Sequence, residues 1–239
     1  MVAGMLVWAA GGFVAAAPLP AGGTPPTLAQ IDDLQAVDPE RALDLATKLR
    51  AGAKTEAEQL AVDLRIAQLR RLLTNYTAAH ELAQLGLARA TALGDLKLIA
   101  GFRYVLARTQ WSLGNYPAAL ELYLQTLKDA EAAGDLGTAF DAHSGISTIF
   151  SDFKQPDQAS YHLEQGRKIA EELKDLVRLG DWHKIVGNNA INRGDYVRAR
   201  DEHAESLRIH RQAGSERGVA DALQNLGRAY ELLGDPTRG

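Results

Sequence analysis

The stretch LGNYPAALELYLQTLKDAEAAGD, Leu113 to Asp135, decides the fold, because the chain repeats its pattern at a fixed spacing of forty residues. Internal periodicity of this length is read before any secondary structure, since it changes the whole architecture. Asn115 falls on Asn75, Gln155, Asp195 and Asp235, and Tyr116 on Tyr76, Pro156, Tyr196 and Pro236, with no gap. Ala119 falls on Ala79, Ala159 and Ala199, and the closing Gly134-Asp135 on Gly94-Asp95, Lys174-Asp175 and Gly214-Ser215.

Within each unit, apolar and small residues recur at three- and four-residue steps, and Gly, Asp and Asn fall between the runs, so each unit reads as two helices. No strand pattern is present. First helices are predicted near 55–72, 96–112, 136–151, 176–192 and 216–233, and second helices near 76–92, 116–132, 156–173 and 196–212. Pro117 and Pro156 sit in first turns, where the missing N–H costs nothing, and Asn115 is positioned to cap. Small columns mark the packing seam: Ala79/Ala119/Ala159/Ala199, Gly86/Thr126/Gly166/Ser206 and Ala90/Ala130/Ala170 on the second helices. On the first helices, apolar-small pairs such as Leu106-Ala107 and Val186-Gly187 allow close approach of neighbours.

The run LGRAYELLGD, Leu226 to Asp235, together with the aligned alanines, resembles the tetratricopeptide repeat. The resemblance covers about residues 54–239, as four full copies and the first helix of a fifth, and the unit is longer than the family's usual length of about 34 residues. It implies an all-α, right-handed superhelical solenoid of antiparallel helix pairs. The family's frequent first-helix aromatic is Phe150 or Tyr230 here, but Arg70, Gln110 and Ala190 elsewhere. Upstream, Thr27–Gln35 and Ala36–Ala53 read as a shorter, atypical hairpin over 27–53, the terminal unit that a stack requires.

The amino terminus carries no charge from Met1 to Ile31, and its small-residue ending VAAAP resembles a secretory signal peptide over 1–17, followed by a linker at 18–26. Export to the periplasm or beyond is the expectation, with uncleaved membrane anchoring as the alternative; the basic leader such signals carry is missing. The chain has no cysteine, which removes disulfides and thiol chemistry, and a net charge of −4 with mixed signs, which argues against nucleic acid as a partner.

Chemistry is hard to place. The six histidines form no His-Glu-x-x-His run, and His143 and His183, one repeat apart, are predicted about 8–10 Å apart, too far to share a metal. No nucleophile elbow, phosphate-binding loop or dinucleotide fingerprint is present. Glu164 and Lys168 read as surface support one turn apart. The expectation is a chain without catalytic activity, metal or cofactor.

The resemblance puts first helices on the concave side, where their outward columns are polar. Asp141, Asp181 and Asp221 share one column; Tyr104 and Lys184 lie in a second, Arg108, Asn188 and Arg228 in a third, and Trp111 adds an aromatic. A protein or peptide is the expected partner. Lys184, Asn188 and Asn225 resemble part of the clamp by which some tetratricopeptide domains hold a peptide carboxylate. The last unit stops where its second helix would begin, leaving Leu223, Leu226 and Tyr230 uncovered, so the expectation is either a longer protein or self-association through that end. With the leader, this also resembles the extracytoplasmic sensory region of bacterial signalling proteins, whose output domain, a diguanylate cyclase or histidine kinase, would follow.

Overall fold

The αL-tolerant and capping residues that punctuate the repeat also set its helix boundaries. A computed structural model describes residues 26–35 and 37–234; the leader at 1–17, nearly all of the linker and the residues after Gly234 lie outside the described residues. Among the described residues there are eleven helices and no strand: α1 Leu28–Leu34, α2 Pro39–Gly52, α3 Glu56–Leu72, α4 Tyr76–Leu93, α5 Leu96–Ser112, α6 Tyr116–Ala133, α7 Leu136–Asp152, α8 Pro156–Glu172, α9 Leu176–Asn192, α10 Tyr196–Ala213 and α11 Glu216–Leu232. The forty-residue units thus resolve into the helix pairs read from the sequence. Each second helix packs on the first helix of its own unit and on that of the next, and consecutive first helices α3, α5, α7, α9 and α11 touch in turn, forming the inner layer. None of the described helices is long and apolar enough to cross a membrane.

Helix starts are capped by the punctuation. Asn75, Asp95, Asp135, Asp175, Asp195 and Ser215 each accept the N–H three residues on, satisfying a donor that the helix leaves orphaned. Asn115 holds the cap position of α6, but its side chain does not cap; its amide donates to Gln110 Oε1 at 3.1 Å instead. Thr27 and Thr55 form capping boxes with Gln30 and Glu58, which fixes the starts of α1 and α3. Glu164 pairs with Arg167 at 2.8 Å rather than with the expected Lys168.

The seam is as small as its columns require. Ala79, Ala119, Ala159 and Ala199 are fully buried, as are Ala90 and Ala130. Where a large side chain crosses the seam, a glycine faces it. Phe102 fills the space over Gly86, where a Cβ would stand 2.3 Å from the ring, and Tyr123 does the same over Gly145 at 2.4 Å. His203 lies on Gly187, and His210 breaks the alanine column by lodging between Gly180 and Gly218. The joint between α8 and α9 is looser than its counterparts, and a cleft of about 250 Å³ opens there among Ser160, Leu163, Trp182 and Asn189.

From α3 onward, each helix ends in a turn with one residue in the left-handed region. Gly94, Gly114, Gly134, Gly194, Gly214 and Gly234 fill that place, whereas Thr74, Lys154 and Lys174 adopt φ of 61°, 56° and 52° with a side chain attached. That conformation costs an L-residue about 1–2 kcal/mol, offset in part by the extra freedom glycine gives the unfolded chain. Lys174→Gly is therefore expected to raise the thermal midpoint by about 2–4 °C. Gly134→Lys is expected to lower it by a similar amount, although nothing lies within 4 Å of the added Cβ. Calorimetric melts of both variants check the pair.

Candidate functional site

The inner layer encloses a groove of about 1460 Å³. Ala57, Ala61, Leu64 and Gln68 of α3 line it, with Lys97, Gly101 and Tyr104 of α5, Gly137, Thr138 and Asp141 of α7, and Arg178 of α9. The α1–α2 hairpin closes one end, where Asp32 takes a two-pronged bond from Arg65 at 2.6 and 3.2 Å. Ile31, Ala42, Leu45 and Ala46 pack beneath on Val62, Ile66 and Leu69, so the end wall is continuous with the core.

Of the residues singled out in the sequence, Tyr104 and Asp141 line this groove. Arg108 lies beside them with its guanidinium carbon 5.5 Å from the Trp111 ring centre, and Trp111 is half-buried against the core rather than free in the groove. Asp181, Lys184 and Asp221 gather farther along: Lys184 Nζ lies 2.6 Å from Asp181 and 3.6 Å from Asp221. Asn225 donates to the Asp221 carbonyl at 2.8 Å, Asn188 is half-buried, and Arg228 is exposed. Lys184 is thus engaged by two carboxylates of its own chain, and an incoming peptide carboxylate would meet both.

Three contributors were not legible as site residues. Arg178 lies across Gly137 and over the Phe140 ring, its carbon 5.8 Å from the ring centre, and is held by the capping carboxylate of Asp175. Arg71, in the last turn of α3, faces Tyr104 and Arg108. Tyr123 belongs to the outer helix α6, yet it passes over Gly145 to bring its ring within 6.0 Å of Tyr104, its hydroxyl beside Arg108. The signal for it was a large residue in the column of Ala83 and Leu163 opposite a glycine in the column of Val105 and Ile185.

Electrostatics follow from burial. Burial pushes the Asp141 carboxyl up to about 6; Arg178 opposes the shift and Asp181 adds to it. The Tyr104 phenol is raised by burial and by Asp141, against the pull of Arg108 and Arg71. Burial raises Tyr123 too, with Arg108 opposing. The two histidines of the shared column have separate partners. His143 Nδ1 lies 2.8 Å from Nδ1 of His162, while His183 Nδ1 bonds Glu202 at 2.8 Å. Among the described residues, no group of three or more His, Asp or Glu converges as a metal set.

No family model and no curated protein matches the sequence. Solved structures do match its fold. BtubC (BKLC) from P. vanneervenii superposes with a TM-score of 0.62 at 20% identity, over 86% of this chain and 85% of that one. A STAND protein with a tetratricopeptide repeat sensor from Pyrococcus horikoshii gives 0.63 at 13% identity, over 84% of this chain and 31% of that one. The Rap conjugation gene regulator of plasmid pLS20, in complex with the Phr* peptide, gives 0.58 at 14%, over 87% and 61%.

The histidines make acid stability predictable. His143 and His203 are pushed by burial down to about 4, His143 further by His162, whereas unfolded histidine titrates near ~6.5. Between these values the unfolded chain binds more protons, so their contribution is complete above about pH 6.5 and is lost as pH falls toward 4. Asp141 has the opposite sign: its raised pKa favours the folded state in acid, and that contribution is lost as pH rises through about 6. His203→Leu, which restores the residue type of Leu163 in the same column, is expected to flatten the acid limb of a melt-versus-pH curve. Asp141→Asn is expected to raise the midpoint at pH 7.5 by about 2–4 °C and to leave it unchanged at pH 4. In its described residues the chain has the tetratricopeptide-type fold, a solenoid of antiparallel helix pairs.

Proposed function

We propose that the chain is a non-catalytic scaffold that holds a peptide segment of a partner protein along its inner face. The observation that carries this reading is the groove itself: about 1460 Å³, walled by four successive first helices and closed at one end. It is long enough to take an extended or helical segment and lined by apolar, cationic and acidic groups that fix register. Supporting it, the Rap regulator of similar fold is in complex with a peptide. The uncharged leader supports a setting outside the cytoplasm.

A second reading, the sensory region of a larger signalling protein, draws on the sensor in the STAND protein's tetratricopeptide segment. It uses the same groove and differs in what the occupied groove controls. Association through the end of the stack remains a third contact: Leu223 of α11 is 48% exposed and lies on the face that a following helix would cover.

Selection of a displayed random peptide library on the full chain tests the groove. Ala57 is exposed on its wall, so Ala57→Trp fills space without touching the core. Selected peptides are expected to bind this variant at least about tenfold more weakly, a loss of about 1.4 kcal/mol. They are expected to bind Gln125→Trp, exposed on the outer helix α6, unchanged. Selected peptides indifferent to Ala57→Trp would overturn the reading.

A further inference from the structure

Beside the groove, two buried donors lack an acceptor. Among the described residues, no carboxylate lies within ion-pair distance of Arg71 or Arg108, although other half-buried arginines are paired: Arg50 with Asp63, Arg65 with Asp32, Arg103 with Asp129 and Arg178 with Asp175. Arg108 Nε and the Trp111 indole Nε1 are both buried with no hydrogen-bond partner. A buried donor left unpaired costs about 1–3 kcal/mol, so a pair of them at one place asks for an acceptor. The two phenols, Tyr104 and Tyr123, stand over the same spot and are held neutral by burial.

The arginines are also close enough to repel. Burial pushes the Arg71 guanidinium down, and Arg108 adds to that, as does Arg217 from the start of α11 at the far end of the stack. Cations of α3 and α5 thus share one region beside the groove. Asp141 opposes the charge of Arg108, and burial weakens its ionisation. Arg108 packs on Trp111 and bonds the Tyr123 hydroxyl, which leaves its Nε as the donor without a partner; a guanidinium so held can still receive an oxygen of an anion.

We propose that Arg71 and Arg108, framed by Tyr104, Tyr123 and Trp111, receive an oxyanion, a carboxylate or phosphate group, carried by the peptide segment that lies in the groove. The proposal rests on the peptide-binding reading above and specifies its substrate class: an acidic peptide with its anion placed at the α3–α5 end. It locates the anion away from Lys184, Asn188 and Asn225, where Asp181 and Asp221 would repel it. Tyr104, which lines the groove and faces both arginines, connects the two regions.

The test uses three fluorescent peptide libraries, identical except for a central Asp, phosphoserine or Asn, titrated by anisotropy into the full chain. The Asp or the phosphoserine library is expected to bind at least about tenfold more tightly than the Asn library. Which of the two leads assigns carboxylate or phosphate. In Arg71→Gln/Arg108→Gln that preference is expected to vanish while binding of the Asn library is kept. Should the double variant lose helicity by circular dichroism, Arg71→Lys/Arg108→Lys replaces it; this keeps charge and loses the fork, and is expected to cut the preference severalfold. Equal binding of all three libraries to the wild type, with loss in Ala57→Trp, would sink the anion receptor and leave the groove intact. No binding by any library, or binding insensitive to Ala57→Trp, would sink both. A preference that survives in the arginine variants would also overturn the assignment.

Discussion

Everything in this molecule depends on how closely a second helix can approach the first helices on either side of it. The alanines at 79, 119, 159 and 199 have no exposed surface. Because a solenoid unit touches only its neighbours, each interface must be self-sufficient, and close backbone approach is what lets short apolar side chains from three helices meet. A residue too large for the column is accommodated only when its opposite number shrinks. Phe102 with Gly86 and Tyr123 with Gly145 are solutions of that kind, and so is His210 with its two glycines. The interior is therefore a set of paired volumes, fixed by register, and the strict forty-residue spacing is the record of that pairing.

This explains what the sequence could and could not disclose. Helix existence and order were legible because periodicity and punctuation are local: Asp135 caps α7, and Gly134 takes the left-handed conformation one residue earlier. The cap at Asn115 was legible as a position but not as a bond, because Gln110 competes for the side chain. Tyr104 and Asp141 line the groove, whereas Lys184, Asp181 and Asp221 of the same columns gather outside it. What stayed hidden were residues whose placement depends on pairing across units. Tyr123 sits on an outer helix and reaches the interior only through the gap at Gly145; Arg71 lies one turn beyond the columns that were read. Lys184 looked like a free donor because a single column does not show that Asp181 and Asp221 flank it.

The inner face is accordingly not uniform. Toward α3 and α5 it is a wall of apolar surface, phenols and guanidinia without a carboxylate partner, closed by the α1–α2 hairpin. Toward α9 and α11 it is a self-neutralising patch in which one lysine serves two aspartates and His210 Nε2 lies 3.8 Å from Asp181. Charges that are mutually satisfied offer little to a partner, since an incoming group must first displace what is there. The division follows from which columns happen to hold acids in which repeats, on an otherwise monotonous scaffold.

A one-dimensional stack is as stiff as its softest joint, and here that joint is identifiable. The turns on both sides of α8 carry lysine in the left-handed conformation, and the cleft beside α8 replaces packed side chains. Packing is thus thinnest near residues 154–174, between the groove walls of α3, α5 and α7 on one side and α9 to α11 on the other. A bend at that joint would carry α9 and its Arg178 relative to the walls of α3, α5 and α7, so the width of the groove would follow the joint.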